Sequence, residues 1–159
     1  MASHFAALRF AAAAVFLSAP AIAAPSDKVE PHTVAAVQAA GDAWAAAEVN
    51  GDKTYLEWLL LPGYRAVNYA GKSKDKAAIV AHAIADPARK AEIAKWKAEH
   101  PQKPVVQIFG DTAVLMWTAD APDGRINSCD IFAYRDGHWR AAYSQDTKVD
   151  GWPTENAKL

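Results

Sequence analysis

Up to the prolines at 101 and 104 the apolar residues of this chain recur at helical spacing, and beyond them the pattern becomes that of strands. From Thr33 to Val49 the positions Val34, Val37, Ala40, Trp44 and Ala47 make one helical stripe, which Asn50-Gly51 stops. Asp52 caps a second helix, Lys53 to Leu60, which Pro62-Gly63 ends. A short strand, Arg65 to Tyr69, turns at Gly71. Ser73 is expected to cap a third helix, Lys74 to Ala85, and Asp86-Pro87 opens a fourth helical run to His100. Strands then follow at Val105–Phe109, Thr112–Ala119, Ile126–Tyr134 and Trp139–Val149. Gly110-Asp111, a loop over 120–124 and Asp136-Gly137 separate them. Helices first and an antiparallel meander last make an α+β domain, with the N-terminal helices packed on one face of the sheet.

The chain has the means to build such a core alone. Of its 159 residues 52% are hydrophobic and 22% charged, enough apolar surface to offset the entropy of ordering. The single cysteine, Cys129, excludes an internal disulfide. A net charge of −1 gives no global field for nucleic acid or anionic lipid. The densest basic run, Arg89, Lys90, Lys95 and Lys97, is interleaved with Glu92 and Glu99 and reads as a solvated helix face.

The first residues are of another kind. Arg9 precedes the apolar stretch Phe10–Leu17, and Ala21-Ile22-Ala23 supplies a small-residue exit. Residues 1–23 read as a secretory signal peptide, so the mature chain begins at Ala24 and the protein is exported, periplasmic or secreted. The apolar stretch is too short for a permanent span, and no cysteine lies near the exit to carry a lipid anchor. Residues 24–32 are then a loose leader, 33–149 the domain, and 150–159 a tail that is either a free end or a strap.

The closing hairpin defines a face. A two-residue turn at Asp136-Gly137 pairs Arg135 with His138, and strict alternation then sets Tyr134 opposite Trp139, Phe132 opposite Ala141, Asp130 opposite Tyr143, and Ser128 opposite Gln145. That face is aromatic near the turn and polar farther away, the make-up of a small-ligand pocket. Arg140, Ser144, Asp146 and Lys148 fall on the other side, toward solvent. Asp130, flanked by apolar walls, is the candidate acid or base; Tyr143 can donate to a ligand oxygen, Gln145 can orient it, and Ser128 completes the polar end. The alternative is a self-satisfied polar cluster that fixes register. Trp44 and Trp117 are candidate walls, each equally suited to plain core packing. Tyr69 and Asn68 are adjacent on the first strand, so only one faces inward; Tyr69 is the candidate ligand residue. His82, His100 and His138 are scattered without ligand spacing, so no metal or other cofactor is expected, and Cys129 has no base beside it to make it a nucleophile.

Several of these segments carry a resemblance. Ala43-Trp44-Ala45-Ala46-Ala47-Glu48-Val49-Asn50-Gly51-Asp52, Tyr64-Arg65-Ala66-Val67-Asn68 with Gly71, Phe109-Gly110-Asp111-Thr112-Ala113-Val114 and Asp130–Arg140 with its Asp136-Gly137-His138-Trp139 turn follow one another at the spacing of the nuclear transport factor 2-like, or SnoaL-like, superfamily. The resemblance covers about residues 33 to 149. It implies a cone: a strongly curved, mostly antiparallel sheet with helices in its concave face and a pocket at the wide end. Such cones serve isomerases, cyclases, dehydratases, hydrolases and proteins without chemistry, so the fold names no reaction. The catalytic tyrosine of the ketosteroid isomerases would fall at Trp44 and their aspartate base at Asn68, and neither residue type can do that work.

Three functions stay open. One is an exported binding domain for a small, partly apolar ligand. Another is a cofactor-free lyase, isomerase or hydrolase built on Asp130 and Tyr143. The third is a dimeric interaction module. The strand Ala113-Val114-Leu115-Met116-Trp117 is apolar on both faces, so its outer face calls for cover, from a second subunit in an isologous homodimer or from the tail around Trp152.

Overall fold

The computed structural model describes residues 28–99, 104–121 and 124–149. The first helix, α1 (Val34–Asn50), starts at Thr33, whose hydroxyl accepts the Ala36 amide, and stops at Gly51 in the left-handed conformation, φ 68°. A Cβ at Gly51 would lie 2.5 Å from the Ala85 nitrogen, so both the turn and the chain packed on it require glycine. Asp52 caps α2 (Lys53–Leu59) by accepting the Tyr55 amide at 2.9 Å.

Strand β1 (Leu60–Val67) follows α2 without a gap and runs through Pro62-Gly63. Those two residues were expected to end the helix and precede the strand. They instead sit where β1 departs from regular pairing, between Leu60 and Arg65, a place where a strand accepts a proline without losing a ladder bond. The third helix is also shorter than its apolar pattern predicts. Ser73 to Asp75 form β2 (Ser73–Asp75), paired antiparallel to β1, and Asp75, not Ser73, caps α3 (Lys76–His82). Between them Asn68 holds the turn, its side-chain oxygen accepting the amides of Ala70 and Lys72. The fourth helix, α4 (Pro87–Glu99), lies against α1.

Strands β3 (Val105–Phe109), β4 (Thr112–Ala121), β5 (Gly124–Arg135) and β6 (His138–Lys148) form the meander. The residues read as a loop over 120–124 carry the ladder on to Ala121 and Gly124. The sheet order is β2-β1-β6-β5-β4-β3, antiparallel throughout except where β1 runs parallel to β6. This is the α+β architecture expected from the change of period, and the helices bury their stripes in its inner face. Val37, Ala40, Trp44 and Ala47 of α1 and Leu56 and Leu59 of α2 meet Tyr64, Ala113, Leu115, Phe132, Trp139 and Ala141 in one core.

The segment before α1, expected to be loose, is docked over its described part. Glu30 donates its amide to the Gly137 carbonyl at 2.7 Å, and its carboxylate accepts the Trp139 amide at 3.0 Å. The Tyr134 hydroxyl donates to the Glu30 carbonyl, and the His32 ring packs on Tyr134 and Trp139 at 4.8 and 4.7 Å. The segment read as a signal peptide, the first residues of the expected leader and the expected tail at 150–159 lie outside the described residues.

Candidate functional site

The floor of the candidate site is set by β4 and β5. Leu115 pairs with Asp130 and Trp117 with Ser128, and all four face the helices. Asp130 is only 8% exposed and Ser128 is buried beside it. Trp117 donates its indole N–H to Asp130 Oδ2 at 3.4 Å.

Strand β6 supplies the third row, and its register corrects the simple alternation. Phe132 pairs with Ala141 as expected, but Ile131 pairs with Tyr143, leaving Ala142 as an extra residue in β6. From that bulge onward every side chain of β6 changes face. Asp130 stands opposite Ser144 and Ser128 opposite Asp146. Ser144 and Asp146, expected in solvent, therefore line the inner face. Tyr143 and Gln145, expected in the pocket, point outward with Ile131, and the Tyr143 hydroxyl donates to Gln145 Oε1 at 2.8 Å.

Strand β1 brings a residue that the sequence reading did not single out. Tyr64 is buried, stacks edge-on against Trp44 with centroids 5.6 Å apart, and shares the Ser144 hydroxyl with Asp130. Trp44 also meets Phe132 at 6.1 Å and donates its indole N–H to Glu48 Oε1 at 3.0 Å, so it is part of the core that adjoins Tyr64. Tyr69 does not join this group. It is 46% exposed, and the Lys148 ammonium sits 4.7 Å from its ring centre. Tyr64 directly precedes the strand expected from Arg65 to Tyr69, and nothing in its neighbours marked it as inward; its partner β6 is about eighty residues away in sequence, on the order of the chain's half-length.

The electrostatics follow from burial. Desolvation pushes the Asp130 carboxyl up to about 6; bonds from Ser144 and Trp117 oppose the rise and the Asp146 charge adds to it. Burial holds the Tyr64 phenol far above its usual range, so it stays protonated and keeps its O–H as a donor. Ser144 draws it down, and Asp130, Glu48 and Asp146 push it further up. Cys129, on the outward face, is also pushed up, by burial and then by Asp130, and has no thiolate character to offer. The arrangement presents a carboxyl that changes charge near neutrality, a phenol donor and a serine hydroxyl between them, against tryptophan and leucine walls.

Among the described residues no three His, Cys, Asp or Glu are placed to hold a metal ion. Among the same residues no helix is long and apolar enough to cross a membrane. A shallow depression of about 300 Å³ lies elsewhere, between Glu57, Pro62, Asp75, Lys76 and Ala77, where Lys76 and Glu57 pair at 2.9 Å and satisfy each other.

No family model and no curated protein matches the sequence. Solved structures match the fold. An NTF2-like protein of unknown function from Silicibacter pomeroyi superposes with a TM-score of 0.54 at 21% identity, over 72% of this chain and 94% of that one. An NTF2-like protein with a cystatin-like fold from Novosphingobium aromaticivorans gives 0.53 at 18% identity, over 77% and 86%. A putative Ca/calmodulin-dependent kinase II association domain from Exiguobacterium sibiricum gives 0.55 at 16% identity, over 79% and 100%. The order of elements, the six-stranded sheet and these superpositions give the chain the NTF2-like, cystatin-like α+β fold that its sequence resembles.

Proposed function

We propose that the inner end of the sheet around Asp130 binds a small, partly apolar ligand, and that the protein does so as an exported domain. The observation that carries this reading is Asp130 itself. A carboxyl that is 8% exposed, held by one indole and one hydroxyl and raised to about 6, is costly to keep unless it meets something that the chain alone does not supply. Trp44, Trp117 and Leu115 provide apolar walls, and Tyr64, Ser128 and Ser144 provide the few polar groups that orient a ligand. Glu48, Asp130 and Asp146 gather negative charge on this side, which favours a neutral or hydrogen-bond-donating ligand over an anionic one.

Native mass spectrometry of the protein purified from its own host tests the reading. A retained small molecule in the wild type, lost in Asp130→Ala with the fold intact, supports it. A bare wild-type mass together with a lowered melting midpoint in Asp130→Ala identifies the cluster as structural. N-terminal sequencing of the same sample tests export, the expected first residue being Ala24.

A second reading has its own support. A carboxyl near 6 beside a permanently protonated phenol is a usable acid–base pair for lyase, isomerase or hydrolase chemistry without a cofactor, with Tyr64 in the donor role first given to Tyr143. Loss of turnover in Asp130→Asn with ligand retention unchanged would distinguish it from binding alone.

A homodimer through the outer sheet face belongs to the same proposal. Val114, Met116, Ile131 and Tyr143 share that face, and Val105 and Phe109 beside them are 53% and 62% exposed. An apolar patch of this kind favours a partner surface, and a second copy offers an identical one.

A further inference from the structure

The groups around Asp130 are rich in acceptors and in negative charge. Its carboxyl is 8% exposed and receives the Trp117 indole N–H at 3.4 Å, and Ser144 bonds it from β6. Burial raises it to about 6, so at neutral pH it carries its charge out of reach of bulk water. The charge that acts on it is that of Asp146, two positions past Ser144 on the same face, and Tyr64 feels Asp130, Glu48 and Asp146. All of these are carboxylates. Two cations of the neighbouring strands are engaged elsewhere. Lys148, which follows Asp146 on that face of β6, lies 4.7 Å from the Tyr69 ring centre, and Arg65 pairs with Tyr143, which points outward. An ionised carboxylate has about four acceptor sites, and the indole and the Ser144 hydroxyl occupy two of those on Asp130. Ser128, on the same inner face, is 4% exposed, and no hydrogen bond among the described residues takes up its hydroxyl. Its register partners are Trp117 and Asp146. Asp130 and Ser128 are buried, whereas Trp117, Ser144 and Asp146 around them are half-buried, so the group opens at one edge.

Building on the ligand reading above, we propose that this site takes an organic ammonium, a protonated amine whose N–H groups meet Asp130 and Ser128 and whose carbon body lies along Trp117. An ammonium brings the donors that the unused carboxylate sites and the Ser128 oxygen lack, together with a positive charge that an indole face attracts. Asp146 at the open edge and Glu48 on α1 add attraction at longer range. A neutral ligand of the same shape leaves the Asp130 charge buried without a counter-ion, and an anionic one meets like charge.

Benzylammonium, benzyl alcohol and benzoate share a ring and differ in charge. The protein is titrated with each at neutral pH, and the Trp117 indole N–H signal is followed by NMR, because that group touches Asp130. Benzylammonium is expected to bind about tenfold more tightly than benzyl alcohol, and benzoate more weakly than either. Asp130→Asn keeps the shape of the side chain without its charge. It is expected to bring benzylammonium down to the affinity of the alcohol and to leave the alcohol unchanged. Equal affinities for ammonium and alcohol in the wild type, or a preference that survives Asp130→Asn, overturn the proposal, while binding of the alcohol keeps the ligand reading standing. If none of the three moves the Trp117 signal, the proposal and the ligand reading at this site fall together. Should Asp130→Asn fail to fold, the wild-type comparison decides the matter alone.

Discussion

Asp130 and Ser144 face each other across β5 and β6, two residues past the bulge at Ala142, and Tyr64 from β1 reaches the same serine. This three-residue contact joins a meander strand, the closing strand and the one parallel strand. Its consequences are measurable.

Asp130 should make the protein less stable as pH rises. Its carboxyl is raised from 3.8 to about 6 in the folded chain. Between those values the folded state holds a proton that the unfolded state has released, so stability falls across the window and is lowest above it. The cost at pH 7.5 is on the order of 2–3 kcal/mol. Asp130→Asn is therefore expected to be more stable than the wild type at pH 7.5, with the advantage gone by about pH 4. Urea melts across that range check it, and a variant of unchanged stability at pH 7.5 would show that the carboxyl is well solvated.

Trp117→Phe keeps the wall and removes the indole donor. The bond from Trp117 lowers the Asp130 midpoint, so its loss should move that midpoint above the wild-type value of about 6. Carboxyl carbon shifts in an NMR titration read this directly, and a downward move contradicts the assigned bond.

Two tyrosine variants separate the faces of β6. If a ligand is retained, Tyr64→Phe should weaken its binding by about tenfold through loss of one buried donor. Tyr143→Phe should leave binding unchanged, because its hydroxyl is spent on Gln145 on the outer face. Equal losses would place the bulge elsewhere.

Met116→Lys should convert the proposed dimer into a monomer, since the outer face would then bury an unpaired ammonium. Light scattering reads the mass. A wild type already monomeric at high concentration contradicts the interface.

Gly51→Ala should destabilise the domain by more than about 1 kcal/mol. The residue sits at φ 68° and its new methyl would meet the Ala85 nitrogen at 2.5 Å. A thermal or urea melt that matches the wild type would show that the α1–α2 corner relaxes freely.

What the sequence determined by itself was everything carried by local period and local caps. Val34 to Ala47 repeat at helical spacing, Asp52 and Gly51 fix the corner, and Asp136-Gly137 sets the first four pairings of the closing hairpin, so the α+β order and the burial of Trp139, Phe132 and Asp130 were legible. Three things were decided only by tertiary structure. Leu60 to Val67 form a strand because β6 offers a parallel edge, a partner that no local pattern around Pro62-Gly63 announces. The leader is ordered because Glu30 finds the Gly137 carbonyl and the Trp139 amide, groups more than a hundred positions away. The bulge at Ala142 arises where β6 must serve β5 on one side and β1 on the other, and it exchanges Tyr143 and Gln145 for Ser144 and Asp146 on the inner face. Alternation assigns faces only while the ladder is unbroken, and one extra residue, with no signature of its own in Ala141-Ala142, was enough to reverse the assignment for the rest of the strand.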